Sequence, residues 1–239
     1  MNSVIEQIYT SGMVEDAEGR QFAHGQTVVT RHSASLLYHL IREYQPDRCL
    51  EVGMAYGLSA LHICQALSEN GNGTHIAIDP LQDSRFKSIG LLNIERAGFR
   101  DIFSFYEQRS DDALAALVAQ GASFDLAFID GSHLFDYVIV DFLYVDRMLA
   151  KNGLIVFDDL WMPAVRKAIS FVLRNRAYQL IQPGWLPTIG FKERLLRRAR
   201  RIFQDPFARD WKLKMIPHNL AVLQKQGADQ RDWTHYRSF

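Results

Sequence analysis

From about residue 48 to residue 181, short β-rich runs alternate with helical patterns, and this rhythm narrows the fold more than anything else in the chain. The runs at 48–52, 75–79, 102–106, 124–130, 154–157 and 178–181 read as strands, and the stretches at 58–69, 84–97, 111–120, 134–149 and 164–175 as helices. In the fourth helix Phe135, Val138, Ile139, Phe142, Val145 and Leu149 share one face at helical spacing. In the fifth, Pro163 stands where a helix tolerates a missing N–H, and Val165, Ile169 and Val172 form the buried stripe. Strands that are apolar along nearly their whole length must be covered on both faces. The pattern therefore predicts an α/β fold, a doubly wound and mostly parallel sheet with helices on both sides. A further helical pattern spans 31–44, and 218–225 reads as one more strand.

The 239 residues suit one domain with attachments: an N-terminal helical cap over 1–47, and a main domain over 48–239 interrupted by a basic insertion at 183–214. A net charge of zero gives no pull towards nucleic acid. No apolar stretch approaches the roughly 20 residues of a membrane span. The N-terminal MNSVIEQIYTSGMVEDAEG lacks a basic start followed by an apolar run, so a cytoplasmic protein is expected. Cys49 and Cys64 lie in apolar contexts and read as small buried hydrophobes.

Three features carry chemistry. After the first strand, Glu51-Val52-Gly53-Met54-Ala55-Tyr56-Gly57-Leu58-Ser59 places two glycines four apart, which allows a tight turn and close approach of a ligand to the backbone. It is not the G-x-G-x-x-G of a dinucleotide site, which disfavours an NAD-linked oxidoreductase. The second strand ends in Asp79-Pro80, where a carboxylate can accept both ribose hydroxyls of a nucleoside. Finally, Asp130 closes the fourth strand and Asp158-Asp159 the fifth. Neighbouring strand ends lie about 5 Å apart, so three carboxylates converge and raise one another's pKa unless a cation intervenes. Carboxylate oxygens suit Mg²⁺, Mn²⁺ or Ca²⁺ better than zinc. One of Asp158 and Asp159 can instead cap the following helix. His133, three residues past Asp130, can reach the same crevice, and Asp136, one turn on, reads as a solvent-facing residue or a support for His133, with a substitute base as the alternative.

The segments CLEVGMAYGLSALHICQAL, HIAIDPLQ, FDLAFIDGSH and GLIVFDDL, in this order, resemble the class I S-adenosylmethionine-dependent methyltransferases. The nearest likeness is to metal-dependent O-methyltransferases of sugars and natural products, with catechol-type enzymes more distant. The resemblance implies a Rossmann-like, seven-stranded sheet whose last strand is antiparallel, with S-adenosylmethionine over the first two strands and the acceptor beyond the fourth and fifth. It implies that Glu51, Gly53, Ala55 and Gly57 line the methionine and sulfonium side, while Tyr56 and Ser59 face the cofactor's carboxylate. Asp79 would hold the ribose, and Ser110 would lie beside the adenine, although it follows Gln108-Arg109 where the family more often has glycine. Asp130, Asp158 and Asp159 would hold a divalent metal, Mg²⁺ above all, with Asp130 also beside the cofactor. His133 would be the general base for a small-molecule acceptor.

The insertion carries Lys192, Arg194, Arg197, Arg198, Arg200 and Arg201 against Glu193, with Leu195, Leu196, Ala199, Ile202 and Phe203 as an apolar face. It reads as an amphipathic helix: a surface helix or dimer contact, a lid over the acceptor, or a weak contact with an anionic membrane surface. Trp185, Phe207 and Trp211 are candidate walls of the acceptor pocket. Trp233 and Tyr236 read as packing or interface residues, in keeping with a homodimer. The rival readings are an N- or C-methyltransferase without metal and a non-catalytic S-adenosylmethionine-binding protein.

Overall fold

The computed structural model describes residues 1–25, 27–185, 190, 192, 195–196, 199, 210, 212–216 and 218–239. Its centre is a seven-stranded sheet built from β3 (Arg48–Val52), β4 (Thr74–Ile78), β5 (Phe103–Tyr106), β6 (Phe124–Ile129), β7 (Leu149–Phe157), β8 (Tyr178–Leu180) and β9 (Ala221–Lys225). The order is β5-β4-β3-β6-β7-β9-β8, and only β9 runs antiparallel to its neighbours. Within the sheet the chain runs from β3 out through β4 and β5 and then restarts on the other side of β3 with β6 and β7. The carboxyl ends of β3 and β6 therefore meet at the switch of direction, where α/β sheets bind ligands.

Period-two alternation along the strands divides the core. Leu126, Phe128, Leu154 and Val156 point to one face, where Leu36, Leu37, Leu40 and Ile41 of α2 (Arg31–Tyr44) and Ile63, Ala66 and Leu67 of α3 (Leu58–Asn70) cover them. Ala127, Ile129, Ile155 and Phe157 point to the other, against α5 (Ser110–Ala119), α6 (Phe135–Met148) and α7 (Pro163–Asn175). Cys49 and Cys64 are buried and free.

The structure departs from the sequence reading in places. The helix expected at 84–97 shortens to α4 (Ile89–Arg96), because Lys87 and Ser88 both adopt left-handed backbone, with φ of 53° and 54°, and end the preceding turns. The first 47 residues add α1 (Ser3–Ser11) and a hairpin of β1 (Met13–Glu15) and β2 (Gln21–Ala23) to the expected helix. Strand β7 begins at Leu149, five residues before the apolar run that announced it. No helix among the described residues is long and apolar enough to cross a membrane. Of the insertion, Leu195 and Leu196 are helical and exposed. Arg194, Arg197, Arg198, Arg200, Arg201, Glu193, Ile202, Phe203, Phe207 and Trp211 lie outside the described residues. Trp185 packs its ring against His39 and donates to Glu43 Oε2 on α2. Trp233 and Tyr236 stand 96% and 74% exposed.

Candidate active site

Register brings the expected residues to one edge. Val52 pairs with both Ile78 and Ile129, and Ile129 pairs with Phe157. The ladder then runs one step past the strands: Gly53 N donates to Ile78 O, Asp130 N to Val52 O and Asp158 N to Ile129 O. Gly53, Asp79, Asp130 and Asp158 are thereby fixed by backbone at the carboxyl edge.

At Gly53 the close approach is made by protein. With φ at +89°, an added Cβ would lie 2.2 Å from Asp130 O, so the turn after β3 nests directly against the end of β6. Gly57, at φ +82°, opens α3. Asp79 is buried and its carboxylate organises the turn: Oδ2 accepts from Met54 N and Ala55 N at 3.0 and 2.8 Å, and Oδ1 from Leu81 N at 2.8 Å. Ala55 and Tyr56 are partly exposed above it. Glu51 is fully buried and taken up by the Ser59 hydroxyl and by His75 Nε2, at 2.8 Å from the latter, so both Glu51 and Ser59 act here from beneath the turn. Ser110 is the first residue of α5, which begins one residue before the helix expected at 111–120.

The second cluster lies across β6 and β7. His133 Nε2 stands 2.6 Å from Asp159 Oδ2 and 3.4 Å from Asp130 Oδ1, and ligand atoms of the three residues lie within 4.8 Å of one another. Asp130 and Asp159 hold the His133 proton, raising the ring to about 10. Burial, and then the Asp159 charge, push Asp130 up to about 6 against the pull of His133. Burial, and then Asp130, push Asp158 up to about 8. Burial also opposes ionisation of Asp159, but His133, Asn219 and Trp161 outweigh it and keep that carboxyl below its usual range. Asp158 does not join the three converging ligand atoms; its Oδ1 accepts from Asp159 N at 2.8 Å and from Asn219 Nδ2 at 2.7 Å. Asp159 sits at φ +58°, a left-handed position that costs a non-glycine residue about 1–2 kcal/mol. Asp136 is exposed.

Asn219 was not singled out by sequence reasoning. Nothing local marks it: it lies 60 residues from Asp159 and reaches the site only because β9 pairs with β7. Beside it opens a cleft of about 470 Å³. Thr30 and His32 line it from the N-terminal residues, Leu160 and Trp161 from the turn after β7, and His218 and Asn219 from the approach to β9.

Comparison with known proteins agrees with this architecture. Residues 50–160 match a methyltransferase domain family. A catechol O-methyltransferase of Niastella koreensis is 26% identical over 175 residues, covering 69% of this chain and 77% of that protein. A caffeoyl-CoA O-methyltransferase of Populus kitakamiensis is 29% identical over 138 residues, 54% of each chain, so the match spans about half the length of that relative. Among solved structures, the O-methyltransferase TomG of Streptomyces achromogenes, in complex with S-adenosylmethionine, superposes with a TM-score of 0.65 at 18% identity, over 95% of this chain and 91% of that one. An O-methyltransferase of Bacillus cereus superposes equally well, at 15% identity over 94% and 91%. The strand order, the glycine turn after β3 and the acidic end of β4, together with the methyltransferase match over residues 50–160, support a class I S-adenosylmethionine-dependent methyltransferase.

Proposed function

We propose that the chain methylates a hydroxyl of a small acceptor, with a divalent cation at the carboxylate cluster and His133 as general base. The observation that carries this reading is the convergence of Asp130, His133 and Asp159 at one point of the carboxyl edge. The donor set fits a hard cation. The oxygens outnumber the nitrogen, and Asp158 and Asp130 are raised first by burial and then by neighbouring carboxylates, a cost that a bound cation would relieve. Asp130 and Asp159 would hold the ion, with Asp158 beside them, and Mg²⁺ is the first candidate. When bound, such a cation supplies Lewis-acid lowering of the acceptor hydroxyl's pKa.

The chain's own residues do the rest. Ala55, Tyr56 and Gly57 offer the turn over which the cofactor's methionine end lies, with Glu51, Ser59 and Gly53 shaping it from below. Asp79 fixes that turn through Met54 and Ala55 and keeps one lone pair for the ribose. Ser110 borders the adenine. The cleft lined by Thr30, Trp161 and His218 seats the acceptor, which gives residues 1–47 a part in specificity. Holding the nucleophile in line with the methyl group supplies most of the acceleration. His133 can take the hydroxyl proton once its carboxylate partners are neutralised by charge, because the interactions that keep it protonated are then gone and the ring returns towards its ordinary range.

The rival reading, transfer to nitrogen or carbon without metal, is favoured by one observation: His133 already closes the carboxylate pair at 2.6 Å. Calorimetric titration of S-adenosylhomocysteine and of Mg²⁺ separates the two, in wild type and in an Asp130→Asn/Asp159→Asn variant. Cofactor binding in both, metal binding in wild type alone, and methylation of catechol as a probe acceptor support the proposal. Cofactor binding with no metal site in either protein leaves the rival.

A further inference from the structure

The two carboxylates at the end of β7 share one amide donor, supplied by a residue on the approach to β9. Asn219 Nδ2 donates to Asp158 Oδ1 at 2.7 Å and to Asp159 Oδ1 at 3.0 Å. The indole of Trp161 donates to the same Asp159 Oδ1 at 2.8 Å. One oxygen of Asp159 is thus fully occupied, and Oδ2 is the one turned towards Asp130 and His133. Asn219 is itself tied down: its carbonyl accepts from Leu160 N at 3.1 Å and its Oδ1 from Trp161 N at 3.4 Å. Reversing the amide would set its oxygen against two carboxylates, so the orientation is fixed by charge as well as by these bonds.

Without this amide, two adjacent carboxylates, one at a left-handed backbone position, would face each other with no donor side chain shared between them. We propose that Asn219 is a positioning residue for the cation site, whose amide takes one oxygen of each carboxylate and thereby turns Asp159 Oδ2 into the cluster. The inference rests on the proposed metal dependence. It adds that the selectivity and strength of the site are set from the approach to β9, not only from the β6 and β7 ends that carry the ligands. Partners of this kind typically change metal affinity about 10- to 100-fold when removed.

The test is Mn²⁺ titration of the S-adenosylhomocysteine complex by calorimetry and by the electron paramagnetic resonance signal of free Mn²⁺. Wild type is compared with Asn219→Ala and with Asn219→Leu, which keeps the volume but has no donor. The expected result is a roughly 10- to 100-fold weaker Mn²⁺ affinity in both variants, with S-adenosylhomocysteine affinity unchanged. Unaltered Mn²⁺ affinity in either folded variant overturns the inference and leaves the proposed function standing. Loss of S-adenosylhomocysteine binding in both variants also overturns it, by making Asn219 a residue of the fold. Absence of Mn²⁺ binding in wild type overturns the metal reading and this inference with it.

Discussion

His133 and Asp159 form a 2.6 Å ion pair across the ends of two neighbouring strands, with Asp130 3.4 Å from the same ring nitrogen. An imidazole so held is a cation in its own right. In chelator-treated protein it is expected to stay protonated up to about pH 10. The raised folded value means the pair's contribution to stability is complete below the ordinary histidine range and is lost as pH rises through that folded value. Side-chain ¹⁵N NMR of His133 checks this, and saturating Mg²⁺ should bring its titration down towards neutrality. A His133 titration near 6.5 without metal would contradict the contact.

Gly53→Ala is expected to be severe. Its Cβ would collide with Asp130 O in a backbone conformation that favours glycine. A cost of roughly 2–4 kcal/mol follows from strain and displacement together. Because the strand end that moves carries Asp130, metal and S-adenosylhomocysteine affinity should fall alongside the melting temperature. Chemical denaturation and calorimetry on the same preparation would show whether the losses travel together.

Asp141, on α6, is buried, and the Ser110 side chain at the start of α5 only partly offsets that burial. Burial pushes it up to about 6. For an acid whose folded value is raised, stability is greatest below the ordinary carboxylate range and declines as pH rises towards the folded value. Asp141→Asn should therefore raise the melting temperature at pH 7.5, by the equivalent of about 1–2 kcal/mol, and little or not at all at pH 4. Equal effects at both pH values would point to packing and not charge.

The opposite sign is expected at Asp146. Burial works against its ionisation, but Tyr178, Arg176 and Lys225 prevail and hold the carboxyl below its usual range. Its contribution is complete above the ordinary carboxylate range and is lost as pH falls through the folded value. Asp146→Ala strips a partner from the buried Arg176 and from Lys225, at a cost of roughly 3 kcal/mol at neutral pH. Urea denaturation across pH 3–8 would show the wild type converging on the variant at the acid end.

Much of this architecture was legible in the sequence because burial on both faces leaves a plain mark. The run at 48–52 is a strand from end to end, and Asp130 and Asp158 stand where apolar runs stop. Position along a parallel sheet then converts sequence into space, since strand ends share one edge. The helix start at Ile89 was hidden because Lys87 and Ser88 take left-handed backbone that their residue types do not announce. The hairpin at 13–15 and 21–23 has three residues per strand, too few for a period to show. Glu51 and Asp79 were recognisable as residues of the turn, but not that much of their bonding capacity goes to neighbouring protein groups. His133 could be placed near the metal position by spacing, yet its ion pairs depend on side-chain reach. Asn219 was invisible, because its meaning lies entirely in partners about 60 residues away.

That β9 runs against its neighbours also bears on when the site comes into being. The carboxylates of β6 and β7 precede by about 60 residues or more the amide that orients them, which arrives with residues 219–225, where β9 inserts between β7 and β8. A nascent or circularly rearranged chain lacking that last insertion could assemble the cofactor half while leaving the acidic half untuned. Docking of the final strand would then act as a checkpoint that couples completion of the sheet to competence for chemistry.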